Sequence, residues 1–122
     1  PKSRSELRNE IERYSELNGC KISKFEVVTC HCGGNDFKLF SDDQNGAAFA
    51  TCASCGNTED IWNSQKYTEK PLQNICRCGQ EELALALGLS TYSNSDDIRW
   101  VYVGAHCKIC RLSGVYVDWQ ER

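Results

Sequence analysis

Eight of the nine cysteines in this 122-residue chain fall into four close pairs. Two pairs have the form C-x-C-G, Cys30-His31-Cys32-Gly33 and Cys76-Arg77-Cys78-Gly79. Two have the form C-x-x-C, Cys52-Ala53-Ser54-Cys55 and Cys107-Lys108-Ile109-Cys110. The two forms alternate, so the second part of the chain repeats the first. Thiolates are soft donors, and a tetrahedral zinc takes two corners from one tight turn and two from another. In a reducing cytosol, cysteines at this density read as metal ligands before disulfides. An odd count also fits a full disulfide set poorly. Iron–sulfur ligation, disulfides and free buried thiols are the other chemistries such cysteines allow. Cys20 has no counterpart in the repeat and reads as a small buried hydrophobe. His31 and His106 flank the pairs but read as non-ligands, because each copy already carries four cysteines.

The elements that must position these pairs are short strands. Each C-x-C-G is followed by an apolar or alternating run, Phe37–Phe40 in the first copy and Leu83–Leu87 in the second. Each C-x-x-C is preceded by another, Ala47–Thr51 or Arg99–His106, and followed by a segment carrying a tryptophan, Trp62 or Trp119. Asn45-Gly46 tolerates positive φ and predicts a hairpin in the first copy. The second copy is longer, and its added residues are expected in the hairpin around Thr91–Asp97. A strand is expected at Lys21–Thr29, entering the first pair. Residues 3–18 predict an amphipathic helix. Ser3 and Glu6 make a capping-box pattern, Leu7, Ile11, Tyr14 and Leu17 share a face, and Asn18-Gly19 is a stop. The link 65–74, with Pro71 and charged residues, is the natural boundary between copies.

This order of pair, hairpin, pair and last strand resembles the zinc-ribbon group of folds, twice in tandem over residues 30–122. Gly33, Gly79 and Gly56 match the glycines of its zinc knuckles. The resemblance implies a small, metal-stabilised, mainly β fold with two zinc ions per chain. One would be held by Cys30, Cys32, Cys52 and Cys55, the other by Cys76, Cys78, Cys107 and Cys110. The chain departs from the group in two places: the first pair is C-x-C rather than C-x-x-C in both copies, and Arg111 stands where a knuckle glycine is expected. The organisation expected is an N-terminal helix and entering strand (1–29), a first ribbon (30–70) and a second ribbon (71–122).

Composition narrows the function. With 40 % hydrophobic and 25 % charged residues the chain is globular in composition. Its apolar runs are too short to cross a bilayer, and no secretory signal opens it, so no membrane role and a cytoplasmic location are expected. The formal charge is −3, and two sites of four thiolates with a zinc would make it more negative still. Nucleic-acid binders usually carry a basic excess, which this chain lacks. A catalytic zinc keeps one position open, and no metalloprotease, deaminase, phosphate-loop or serine-hydrolase motif is present, so no enzyme is expected.

The expectation is therefore a non-enzymatic protein-interaction module, such as a stand-alone inhibitor of the bacterial toxin-immunity kind. An acidic protein attracts a basic partner, for instance a toxin, and the candidate surface is Asp42, Asp43, Glu59 and Asp60 with Trp100 and Tyr102. The alternative is nucleic-acid binding by Arg77, Lys108 and Arg111, with His106, beside those same aromatics.

Overall fold

The computed structural model describes the backbone of residues 2–121 and the side chains of residues 5–121. One α-helix, α1 (Lys2–Leu17), precedes eight strands, and a single 3-10 turn, Gln65–Tyr67, lies between the fourth and fifth of them. These are β1 (Lys24–Val27), β2 (Asp36–Asp42), β3 (Ala47–Cys52), β4 (Thr58–Asp60), β5 (Leu72–Asn74), β6 (Leu83–Thr91), β7 (Ile98–His106) and β8 (Ser113–Gln120). All pairings are antiparallel, and the fold is mainly β as expected.

The two copies share one sheet, in the order β4-β3-β2-β6-β7-β8. The seam is short: Asp36 pairs with Ala84 and Phe37 with Leu83. Beyond it β2 and β6 part. β6 takes β1 as its neighbour, and β2 takes β5, which lies within the link between copies. The sheet curls so that β3 approaches β8. One apolar core is enclosed between the halves, with Phe37, Leu39, Ala48 and Ala50 from the first and Leu85, Val101, Val103, Val117 and Trp119 from the second.

Period-two alternation gives β6, β7 and β8 a second face, which α1 covers. Leu7 and Ile11 pack there with Ala86 and Tyr102. The helix comes close because β6 and β7 offer Gly88 and Gly104 beneath it. A Cβ on Gly88 would lie 2.4 Å from Ile11 Cγ2, and one on Gly104 would lie 2.6 Å from Ile11 Cδ1.

Polar bonds anchor the same face. The Tyr14 hydroxyl donates to Asp118 Oδ1 at 3.0 Å, and Trp100 Nε1 donates to Asp118 Oδ2 at 2.8 Å. Tyr102 donates to the carbonyl of Cys20 at 2.9 Å and accepts from Asn18 Nδ2.

The helix stops where the sequence puts its stop. Gly19 has φ +82°, the Gly19 N–H reaches the Glu16 carbonyl and the Cys20 N–H reaches that of Ser15, which is a Schellman closure. Leu17 corrects the expected helical face, for it is 77 % exposed. At 3.6 residues per turn, Leu7, Ile11, Tyr14 and Ser15 centre the stripe, and Leu17 lies roughly 100° from its middle. Ser15 is buried instead, accepting from the Ile22 N–H and donating to the Glu12 carbonyl. The Ser3 side chain of the expected capping box lies outside the described side chains.

The hairpins differ from expectation in detail. Asp42 pairs with Ala47, so the first turn is residues 43–46, and of Asn45 and Gly46 only the glycine has positive φ. In the second copy much of the added length goes into longer strands, β6 and β7, as well as the turn.

Candidate metal centres

Each cluster is built from two knuckles, and the backbone of each knuckle is repeated in the other copy. In the C-x-C-G knuckles the Gly33 N–H reaches the Cys30 carbonyl at 2.8 Å, and the Gly79 N–H reaches that of Cys76 at 2.7 Å. Gly33 and Gly79 have φ +90° and +96°, a left-handed conformation that glycine adopts without steric penalty. In the C-x-x-C knuckles the Gly56 N–H reaches the Cys52 carbonyl at 2.9 Å, and the Arg111 N–H reaches that of Cys107 at 2.8 Å. Arg111 has φ +66° against +75° for Gly56, so the arginine keeps the knuckle's shape in a conformation that disfavours it. The spacing of the first pair does not prevent closure either.

The knuckles bring the expected sulfurs together: Cys30, Cys32, Cys52 and Cys55 form one group and Cys76, Cys78, Cys107 and Cys110 the other, all within 4.8 Å of one another in each. Sulfurs 2.3 Å from a central zinc at tetrahedral corners lie about 3.8 Å apart. Two pairs in the first group measure 3.5 Å (Cys30–Cys55) and 3.7 Å (Cys32–Cys52). In the second the corresponding pairs measure 3.3 Å (Cys76–Cys110) and 3.6 Å (Cys78–Cys107). A disulfide needs about 2.05 Å, so none of these pairs is one. In each group two cysteines are buried and two are exposed. The two four-cysteine groups are thus each positioned to bind a metal ion, consistent with two zinc per chain.

The protein prepares some of these sulfurs for ionisation. The Cys55 backbone N–H, with that of Ser54, outweighs burial and lowers the Cys52 thiol to about 7. At Cys107 burial opposes the change, but amides of Cys110 and Ile109 still bring it to about 7. Cys30 and Cys76 are pushed up to about 12: an amide, that of Cys32 or Cys78, lowers each, but burial and the neighbouring thiols prevail. Four thiolates this close repel one another, and a divalent cation resolves the conflict. Gly34 is not singled out by the sequence, yet a Cβ there would lie 3.0 Å from Cys52 Sγ and 3.3 Å from Cys32 Sγ. His31 lies beside the first group, Nδ1 3.7 Å from Cys30 Sγ, and Cys30, His31 and Glu59 form a third, overlapping set of potential donors. His106 is buried, its Nδ1 2.7 Å from Ser113 Oγ. Cys20 is buried, as expected of a small hydrophobe.

The other candidate residues are scattered. Asp42 corrects the acidic surface: it is buried, and its carboxylate accepts from the backbone N–H of Glu69, Lys70 and Asn45 and from Asn45 Nδ2. Those donors, the Glu69 amide first, hold it down at about 2. Asp43 is exposed. Asp60 is exposed but accepts the Gln65 N–H, and Glu59 is half-buried. Tyr102 corrects the aromatic surface, being fully buried beneath α1, and Trp100 is half-buried and tied to Asp118.

Trp100 and Tyr102 also fail to join the basic knuckle; the aromatic beside the second cluster is the half-buried Tyr116, whose hydroxyl is raised by burial and by the four nearby thiols. Trp100 lies near the start of β7 and Cys107 follows its end, about 20 Å away at strand rise. Arg77, Lys108 and Arg111 are exposed, but Lys108 is paired with Asp36 across the seam at 2.9 Å. Sequence reasoning missed three exposed aliphatics around the second cluster, Ile75, Ile109 and Leu112.

No family model, curated protein or solved structure matches the chain. What defines its class is the pair of four-cysteine clusters on a mainly β fold, consistent with zinc-ribbon-like units. Among the described residues no helix is long and apolar enough to cross a membrane.

Proposed function

We propose that the chain is a non-enzymatic zinc module that acts by docking to another protein. The observation supporting this most is the closure of both clusters: four sulfurs surround each centre, so a bound zinc has no open position for water or substrate. Zinc then serves folding, and function falls to the surface. A stand-alone inhibitor, of which bacterial toxin-immunity proteins are one kind, is the finer form of this reading; it rests on small size, acidity and the lack of catalytic motifs. Its acidic face is narrower than the sequence suggests, because Asp42 is committed to the fold.

Nucleic-acid binding has the exposed Arg77 and Arg111 in its favour. Against it stand the buried His106, the ion-paired Lys108 and the distance to Trp100. The test is capture from native extract by the zinc-loaded chain, with and without nuclease, beside a mobility-shift assay on single-stranded DNA and RNA. A protein that stays bound after nuclease supports docking. Retained nucleic acid with a matching mobility shift would overturn it.

A further inference from the structure

The first cluster is flanked by donors that the second lacks. Cys30 Sγ, a His31 ring nitrogen and a Glu59 carboxylate oxygen lie within 4.8 Å of one another. The shared knuckle backbone identifies their counterparts. His31 stands where the second C-x-C-G has Arg77. The Cys52 N–H reaches the Asn57 carbonyl and the Cys107 N–H reaches that of Leu112, so Glu59, two residues on, matches Gly114. An imidazole and a carboxylate in one copy are thus an arginine and a glycine in the other. Among the described residues no such third set adjoins the second cluster.

The spacing suits a coordination sphere. A zinc about 2.3 Å from sulfur and about 2.05 Å from nitrogen, at tetrahedral corners, holds the two about 3.6 Å apart. Cys30 Sγ and His31 Nδ1 are 3.7 Å apart. His31 is exposed and Glu59 half-buried, so an ion from solvent can reach both. Asn57 Nδ2 donates to Glu59 Oε1 at 3.4 Å, which steadies the carboxylate without using its second oxygen.

Charge also favours a cation here. Four thiolates around a zinc leave each loaded cluster doubly negative. At the second cluster the exposed Arg77 and Arg111 offset that charge; at the first their counterparts, His31 and Gly56, carry no fixed positive charge. Beside the first cluster a cavity of about 260 Å³ is lined by Glu59 together with Glu26 and Asp60, and no lysine or arginine lines it. Thr29, next in sequence to Cys30, forms part of its wall.

We propose that the first cluster is flanked by a third zinc position, in which Cys30 bridges to a second ion held by His31 and Glu59. This goes beyond the docking reading and leaves both four-cysteine centres closed. A thiolate bound to one zinc keeps lone pairs for another. Sulfur, imidazole and carboxylate together suit zinc better than calcium or magnesium, which take oxygen donors. Three protein donors leave the fourth corner to water, so this ion is exchangeable where the other two are structural. The position gives an arriving or departing zinc a foothold beside the first cluster, with Cys30 shared throughout.

The test adds cobalt to the full chain already holding two zinc ions. Four-thiolate tetrahedra favour zinc, so cobalt reports a further position. One cobalt should bind per chain, with tetrahedral d–d absorption and a thiolate-to-cobalt charge-transfer band, and without release of zinc. His31→Asn keeps a side-chain N–H able to donate to the Cys30 thiolate but removes the ligand. Glu59→Gln keeps the shape and removes the charge. Loss of an outer-shell partner already weakens a metal by about 10–100-fold, so each variant should lose at least that much cobalt affinity.

A metal count that stays at two would overturn the proposal, for the imidazole would then only donate to the thiolate. Cobalt bound without the charge-transfer band, zinc released in equal amount, or affinity unchanged in both variants would overturn it as well. If one variant loses a tightly held zinc, the other carries the comparison. If both do, His31 and Glu59 serve the first centre itself and the third position falls.

Discussion

Replacing Arg111 with glycine should strengthen the second zinc site. Arg111 holds φ +66° at the position where the first copy has Gly56 at +75°. A residue with a Cβ in the left-handed region is disfavoured by about 1–2 kcal/mol. Glycine returns roughly 0.5–1 kcal/mol of this through the freedom it has in the unfolded chain. The net gain is about 1 kcal/mol, or roughly fivefold in affinity if zinc binding and folding are one equilibrium. Arginine also sets a cation beside a doubly negative cluster, so losing it has a small opposing effect. Arg111→Ala removes the charge and keeps the strain, so the glycine variant is to be compared with the alanine one. The mirror experiment is Gly56→Ala: no heavy atom lies within 4 Å of the added Cβ, so its penalty is conformational alone. That variant should weaken the first site by a similar factor. Competition with a chromophoric chelator at fixed pH, with the sites told apart by which variant moves, reads both. If Arg111→Gly binds zinc no more tightly than Arg111→Ala, the knuckle is not strained and the reasoning fails.

Metal removal by a strong chelator should abolish the near-UV dichroism of Trp62 and Trp119, both packed on the core between the two clusters; a native-like signal in zinc-free protein would contradict a folding role for the metal. Gly104→Ala should lower stability by about 1–3 kcal/mol through overpacking against Ile11, and in a thermal melt the double variant with Ile11→Ala should be less destabilised than the sum of the two single changes. Asp42→Ala should lower the melting temperature and free the segment at Glu69 and Lys70 to exchange its amide hydrogens faster. The Asp42 carboxyl is depressed from 3.8 to about 2, so its contribution is complete above pH 4 and is lost as pH falls toward 2; the difference in melting temperature between Asp42→Ala and the parent should shrink over that window.

Local features were legible because local chemistry sets them. The paired cysteines with their glycines, the Schellman stop at Gly19 and the alternation that makes β7 two-faced all act within a few residues. What sequence could not place was non-local. Nothing in the periodicity of β2 or β6 states that Asp36 pairs with Ala84, yet those contacts turn two ribbons into one sheet. Asp42 is an acid at a hairpin, a surface residue by every local rule, until the amides of Glu69 and Lys70 arrive from 27 and 28 residues away. Tyr102 reads as surplus aromatic surface because the partner that buries it, α1, lies at the other end of the chain. Arg111 was legible as an anomaly, but only the backbone shows that the knuckle kept its shape and the residue took the strain.

The shared sheet also bears on how the two sites behave. If the ribbons were independent, each would respond to loss of its own zinc alone. Their joint is not confined to the short seam, however. Lys108 of the second C-x-x-C knuckle is paired with Asp36, which opens β2 in the first copy, and the Ala53 N–H of the first C-x-x-C knuckle reaches the Asp36 carbonyl at 2.9 Å. Asp36 thus touches both knuckles, and the core beneath it draws on both halves. Loss of one metal removes order from strands that the other half packs against, so binding should be cooperative in the sense that the first zinc makes the second tighter. Cys107→Ser should therefore weaken zinc at the intact first site as well as at its own. Asp36→Asn should reduce that coupling while leaving both sets of cysteines in place. Two zinc affinities that stay unchanged by loss of the other site, measured with cadmium or cobalt spectroscopy at each cluster, would show the halves to be independent despite the continuous sheet.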